Sequence, residues 1–306
     1  MNGYMGFVGV STGSSSIMKV FPRWAELLDL PTRELVGHDL PMDATPADYR
    51  ALVTQIQDDP RHLGALVTTH KLALFAATHD LFSELDRFAS LCGEVSSISK
   101  RDGALVGHAK DPITVGLALD EFLSPTHFRD SGSEAIILGA GGAGTALSWH
   151  LVERVDAPEI ITVVDTSDAR LAHLAEVHHR RGTQAGVIRY VNPAQLSVTE
   201  LLATAPAGSL VVNATGLGKD RPGSPLSDDA VFPKDAVVWE FNYRGSLDFL
   251  HQARAQEEAQ RLTVVDGWRY FIHGWTQVIG EVFGVTMTPP LVDELADAAE
   301  FARAQQ

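Results

Sequence analysis

The chain contains one cysteine, Cys92, so no intrachain disulfide can form and a reducing compartment suits it. Positive charge is also scarce. The 24 Lys and Arg stand against 39 Asp and Glu, leaving a net charge of −15. Nucleic acid and anionic membrane both require a basic face, so neither is expected as a partner. A small anionic substrate needs only a local positive pocket and stays open. No apolar run approaches the roughly 18 residues of a membrane-spanning helix. The opening MNGYMGFVGV lacks the basic start and long apolar stretch of a secretory signal, and a cytoplasmic location is expected. The histidines show no metal-ligand spacing, so no metal is expected. His70 neighbours Lys71, and His178 neighbours His179, but helix neighbours do not share a face.

What the chain does contain suffices for two cores. It has 306 residues, 45% of them hydrophobic. Short apolar runs alternate with helical patterns, so an α/β class is expected. GYMGFVGVS, RELVGHDLP and GALVTT read as strands. Helices are expected over SIMKVFPRWAELLDL, TPADYRALVTQIQDD and KLALFAATHDLFSELD, the second capped by Thr45 with Pro46 in its first turn. EVSSISKRDGALVGHA reads as a hairpin turning at Asp102-Gly103, and PITVGLALDEFLS as a helix. The polar stretch PTHFRDSGSE then breaks the pattern near residue 125. After it, AIIL, EIITVVD, AGVIRYV, GSLVVNAT and DAVVWEFNY alternate with helices, the signature of a doubly wound parallel sheet. The expected domains are 1–125 and 126–266, with helices from about 267 to 306 packing back onto the first.

Two places suggest chemistry. ILGAGGAGTA follows an apolar strand and opens a helix, matching G-x-G-x-x-G through Gly139, Gly141 and Gly144. Glycines so spaced allow a tight turn, close approach to a pyrophosphate, and close helix–sheet packing, with free N–H groups for the phosphates. Gly139 through Gly144, including Ala140, Gly142 and Ala143, are therefore cofactor-binding candidates. Asp165 ends the next strand at the spacing of a ribose-binding acid. Its carboxylate repels a 2′-phosphate and favours NAD. Arg170, five residues on, can reach a phosphate, so NADP remains possible. The second place is LGALVTTHKLALFA, where a strand runs into a helix with Lys71 at the joint. Taken alone, Lys71 reads equally as a first-turn surface charge or as a functional ammonium.

With these pieces in place, the chain resembles the shikimate/quinate dehydrogenase family over nearly its whole length. VVNATGLG is similar to the family's N-A-T-x-x-G segment beside the nicotinamide, which adds Asn213, Ala214, Thr215 and Gly216 to the cofactor set. WEFNYRGSLDFLHQA is similar to D-x-x-Y-x-P-x-x-T-x-x-L, with Tyr243 on the tyrosine. GALVTTHK aligns with F-N-V-T-x-P-x-K and GHAKD with G-x-N-T-D. The resemblance thus implies a catalytic pair, Lys71 and Asp111. An ammonium there can relay an alcohol proton or support alkoxide charge while hydride moves. Asp111 precedes Pro112, so its own context also allows a plain helix cap.

The departures fall in the substrate shell. The family's S-x-S-P-x-x-H-N loop reads STGSSSIMKVFP, keeping serines at Ser14, Ser15 and Ser16. Family asparagines fall on Ala65, Ser96 and Ala109, a threonine on Val67, another on Lys110, and a glutamine at about Gly274. Ser14, Ser15, Ser16, Thr69, Ser96, Lys110 and His273 are the substrate-binding candidates. Lys110 and Arg269 hint at an anionic substrate. Trp268, Tyr270 and Trp275 read as either pocket wall or core. The expectation is hydride transfer between NAD, or NADP, and a secondary alcohol or ketone of a small polyhydroxylated substrate. Shikimate and quinate themselves are disfavoured, and the chain is expected as monomer or homodimer. Two alternatives remain: a catalytically silent dinucleotide-binding regulator, and a folate-type methylene dehydrogenase.

Overall fold

The computed structural model describes residues 3–184, 186–219 and 221–303. The chain divides into two compact units. The first joins Met1–Thr114 to Ile272–Gln306, and the second is Val115–Phe271. The division falls inside two helices, Asp111–Leu119 and Trp268–Phe283, rather than in the polar stretch after residue 125.

The first unit is built on six strands: β1 Tyr4–Gly9, β2 Leu35–Asp39, β3 His62–Val67, β4 Glu84–Leu85, β5 Ser97–Arg101 and β6 Ala104–His108. Their order is β2-β1-β3-β5-β6-β4. β1 runs parallel to β2 and β3, whereas β5 is antiparallel to both β3 and β6. The β5–β6 turn places Asp102 and Gly103 both at positive φ, 51° and 81°, the backbone that a two-residue hairpin requires. Thr45 caps the helix Pro46–Asp58 through a reciprocal box with Asp48. The returning C-terminal segment completes this core: the indole N–H of buried Trp24 donates to the Leu295 carbonyl at 2.7 Å.

One expected helix is shorter than its sequence pattern. KLALFAATHDLFSELD reads as continuous, yet the α-helix covers only Lys71–Thr78. A short 3₁₀ turn, strand β4 and a second helix, Arg87–Cys92, follow. Two local bonds explain the break. The Ser83 hydroxyl donates to the Leu105 carbonyl in β6, and Asp86 caps the next helix by accepting the Ala89 N–H. Edge pairing with β6 thus outweighs helix continuation.

The second unit has β7 Ala135–Leu138, β8 Ile161–Val164, β9 Ile188–Val191, β10 Leu210–Asn213, β11 Val237–Glu240 and β12 Thr263–Val265. All pairings are parallel, in the order β12-β11-β10-β7-β8-β9. Every residue of β7, β8, β10 and β11 is buried. That is why these strands read as unbroken apolar runs: helices cover both sheet faces. Strand order reverses at β7, whose C-terminal end leads into the glycine loop, the usual ligand position of such a sheet.

Candidate active and nucleotide sites

In the first unit, β3 delivers the chain to Lys71 through a strained corner. Thr69 sits in left-handed backbone, at φ 59°. A β-branched residue pays about 1–3 kcal/mol for that conformation, and such strain clusters at functional sites. The next residue anchors the corner. One His70 nitrogen, Nε2, lies 3.0 Å from the Leu40 carbonyl, and Nδ1 lies 2.8 Å from the Tyr49 hydroxyl. A carbonyl only accepts, so Nε2 carries the proton and Nδ1 accepts from the tyrosine. Burial holds the His70 pKa below the usual value, so the ring is neutral.

Lys71 begins the helix, and its ammonium pairs with the Asp111 carboxylate. The lysine side chain is 19% exposed and the aspartate 10%. Burial opposes charge on Lys71, but the carboxylates of Asp111 and Glu94 outweigh it and raise its pKa. Asp111 begins the helix Asp111–Leu119. Among the described residues its carboxylate takes no helix N–H, so it is bound to the lysine instead of serving as a cap. Glu94 is a member of this cluster that the motifs do not mark. It follows the helix Arg87–Cys92 and is 1% exposed. An acid inside the otherwise apolar and small CGEVSSI run is the sequence signal that could have found it.

The other substrate candidates of this unit are placed variously. The Ser96 hydroxyl accepts the Lys110 N–H at 2.7 Å and donates to the His108 carbonyl at 3.4 Å. It thus holds the loop that carries Asp111. Ser14 is exposed and donates to the Ser11 carbonyl, whereas Ser15 is buried. Ser16 precedes the helix Ile17–Leu27 without a side-chain cap bond. Thr12 fastens this loop to β2 through two bonds to Asp39. His273 is buried in the helix Trp268–Phe283.

The cations read as anion contacts are neutralised within the protein. Lys110 Nζ donates to Glu281 at 2.6 Å, and Arg101 and His108 approach the same carboxylate. In the second unit, Arg269 forms a two-pronged pair with Glu121. The aromatic residues resolve as core. Trp275 packs edge-on against Phe7 at 4.8 Å, and Tyr270 packs on Phe241 at 4.5 Å. Trp268 is 2% exposed.

The second unit carries the nucleotide motif. Gly139 has φ 113°, and a Cβ there would lie 2.7 Å from the Ala214 carbonyl oxygen. A Cβ on Gly144 would lie 1.9 Å from the Gly139 carbonyl oxygen, while Gly141 faces open space. The first and third glycines therefore allow backbone contact, and the second leaves a gap. The helix Gly142–Glu153 starts at that gap, so Ala143 and its neighbours point unpaired N–H groups toward it. These features fit the pyrophosphate of a dinucleotide.

Asp165 accepts the N–H groups of Ala140 and Ser167, both at 2.8 Å. It thereby ties the glycine loop to the end of β8. Two bonds leave acceptor sites on the carboxylate for ribose hydroxyls. The Arg170 guanidinium, half-exposed, lies 3.8 Å from Asp165. At the end of β10, Asn213 Oδ1 accepts from Thr215 N and Oγ1, while Asn213 Nδ2 donates to Glu240 at 2.8 Å. Ala214 N donates to Leu138, and Gly216 turns at φ 73°. Burial pushes the Glu240 carboxyl up to about 7, against the hydrogen bonds from Asn242 and Asn213. Tyr243 lies against Phe271, ring centres 4.3 Å apart.

No protein-family model matches the chain. It is 30% identical over 221 residues to the shikimate dehydrogenase (NADP(+)) of Symbiobacterium thermophilum, covering 69% of this chain and 67% of that one. To the enzyme of the same name from Streptococcus gordonii it is 33% identical over 178 residues, and spans 58% of that protein's length. Among solved structures, quinate dehydrogenase from Corynebacterium glutamicum in complex with NAD has a TM-score of 0.74 at 21% identity, covering 97% of this chain and 98% of that one. Shikimate 5-dehydrogenase from Thermus thermophilus, in complex with NADP(H) and shikimate, has a TM-score of 0.71 at 22% identity, covering 97% and 99%. The two-domain fold is thus common to these structures, and the match to the Symbiobacterium sequence places the chain in the shikimate dehydrogenase family.

Proposed function

We propose that the chain is a nicotinamide-linked dehydrogenase. It moves a hydride between the cofactor and a secondary alcohol or ketone on a small polyhydroxylated substrate other than shikimate or quinate. The observation that carries this reading is the Lys71–Asp111 pair. An ammonium held on a carboxylate at the end of a strand can take or give the alcohol proton as hydride departs or arrives. The second unit would hold the cofactor, with the glycine cradle at the pyrophosphate and Asp165 at the ribose. The bound nicotinamide supplies the hydride acceptor. Asn213, Ala214, Thr215, Gly216 and Tyr243 would line its ring. Lys110 and Arg269 are already paired, so the case for an anionic substrate narrows to Ser14, Ser15 and Ser16, hydroxyls at the start of the helix Ile17–Leu27, with Lys19 and Arg23 farther along that helix.

The test is a screen for reduced-nicotinamide formation over cyclitols, hydroxy acids and sugar phosphates. Turnover of a member of one class is the expected result. Binding of the dinucleotide without turnover of any would favour the silent regulator.

Cofactor choice gives a separate expectation. Asp165 repels a 2′-phosphate and Arg170 is its only charged neighbour in the described ion pairs. NAD should therefore bind more tightly than NADP, as measured by titrating each into the protein. A clear NADP preference would show that Arg170 turns to the phosphate and dominates.

A further inference from the structure

Glu240 is a buried acid of the second unit that the proposed chemistry does not use. It ends β11, follows three apolar residues and is 0% exposed. A buried carboxylate has to be supplied with donors, because an unpaired one costs the full loss of its hydration. One oxygen accepts Asn213 Nδ2 at 2.8 Å, and the other accepts Asn242 N at 2.7 Å. A carboxylate only accepts, so Asn213 has one orientation: its amide N–H faces Glu240. Its Oδ1 is thereby turned to the loop after β10, where it accepts Thr215 N at 3.1 Å and Thr215 Oγ1 at 2.7 Å. Thr215 Oγ1 in turn accepts Leu217 N at 3.1 Å. From Leu217 N through Thr215 and Asn213, every donor points toward Glu240. Asn242, the second residue bonded to the carboxylate, closes the far side by donating Nδ2 to the Leu217 carbonyl at 2.9 Å.

We infer that Glu240 is the positioning residue of the proposed nicotinamide loop: it sets the direction of the hydrogen bonds that hold residues 213–217. This rests on the cofactor reading above, which puts Asn213, Ala214, Thr215 and Gly216 beside the ring. Glu240 is fully buried and acts through Asn213. The Thr215 hydroxyl spends its proton on Asn213 and one lone pair on Leu217 N. What it has left is a single lone pair, so it serves a ligand only as an acceptor.

A glutamine at this position cannot do the same. It has one accepting end and one donating end. With the donating end toward Asn213, that amide must turn round, and its N–H groups then meet Thr215 N, donor against donor. With the accepting end toward Asn213, the donating end meets Asn242 N in the same conflict. Burial raises the Glu240 carboxyl to about 7, and the bonds from Asn242 and Asn213 pull it down. The ionised form that accepts both donors therefore prevails at alkaline pH.

The experiment measures binding rather than turnover. NAD and ADP-ribose, which carries the adenosine and both phosphates but no nicotinamide, are each titrated by calorimetry at alkaline pH. Glu240→Gln should weaken NAD about tenfold, the net contribution of one hydrogen bond to a charged group, and leave ADP-ribose unchanged. Asn213→Asp should weaken NAD as well, because two carboxylates then face each other. Glu240→Gln combined with Asn213→Asp exchanges acid and amide. The new amide accepts Asn242 N and donates to the new carboxylate, which accepts both Thr215 donors. The double variant should recover most of the NAD affinity, a coupling that general damage to the fold does not produce. If Glu240→Gln does not fold, the double variant carries the test by folding and binding NAD. A Glu240→Gln protein that weakens NAD no more than ADP-ribose would overturn the proposal, as would a double variant no better than either single one. Wild-type protein that binds neither compound would instead overturn the cofactor reading, and this proposal with it.

Discussion

Replacing Lys71 with alanine should lower kcat by about 10²–10⁴-fold, the contribution of a positioned acid–base group. The lysine side chain is 19% exposed and its ammonium is held by Asp111, and its task belongs to the transition state. The loss should therefore lower kcat and kcat/KM together. Affinity for NAD should barely change, since the glycine loop and Asp165 belong to the other unit. Lys71→Arg separates charge from proton transfer, because arginine keeps the charge but does not give up a proton. Its activity should lie near that of the alanine variant. If Lys71 were only a surface charge, the alanine variant would keep wild-type turnover. Steady-state rates on the screened substrate, with NAD titrations alongside, distinguish the two outcomes.

Shikimate and quinate should be poor substrates, with kcat/KM about 10⁴–10⁵-fold below the best compound of the screen. That is the penalty when hydrogen-bonding groups meet no partner. Ala65 and Ala109 are fully buried and apolar where the family resemblance expects asparagine. Ser96 stands at a third such position, and its hydroxyl is occupied by Lys110 N and the His108 carbonyl. The resemblance puts a glutamine at about Gly274, where this chain has no side chain. These positions belong to the first unit, so they can change without disturbing the nucleotide motif. Shikimate turnover equal to that of the best screened compound would refute this expectation.

The second unit was the more legible half. Its four central strands are buried on both faces, so they appear as apolar runs, and Gly139 and Gly144 sit where backbone meets backbone. Such requirements act through single residues: no side chain fits at Gly144, whatever else varies. The first unit was harder. The helix from Lys71 has a continuous apolar pattern through residue 86, yet edge pairing at β4 breaks it at Thr78. Periodicity does not register a bond from Ser83 to a strand more than twenty residues away. Charges misled for a related reason. Lys110 and Arg269 look available in sequence, and only folding brings Glu281 and Glu121 to them. Glu94 lay outside every motif because its meaning depends on what surrounds it.

The first unit is made of two pieces separated by the whole of the second. During synthesis, its first stretch leaves the ribosome long before Ile272 does. Trp24 then lacks Leu295, and Lys110 and Arg101 lack Glu281. The second unit is continuous and can reach its native state first, as domains generally fold once emerged. Lys71 and Asp111 are thus encoded early, but the seam at Trp24 and the ion cluster on Glu281 close only when the C-terminal helices arrive. Translation order makes the proposed cofactor unit the senior partner and the proposed chemical unit the last to mature.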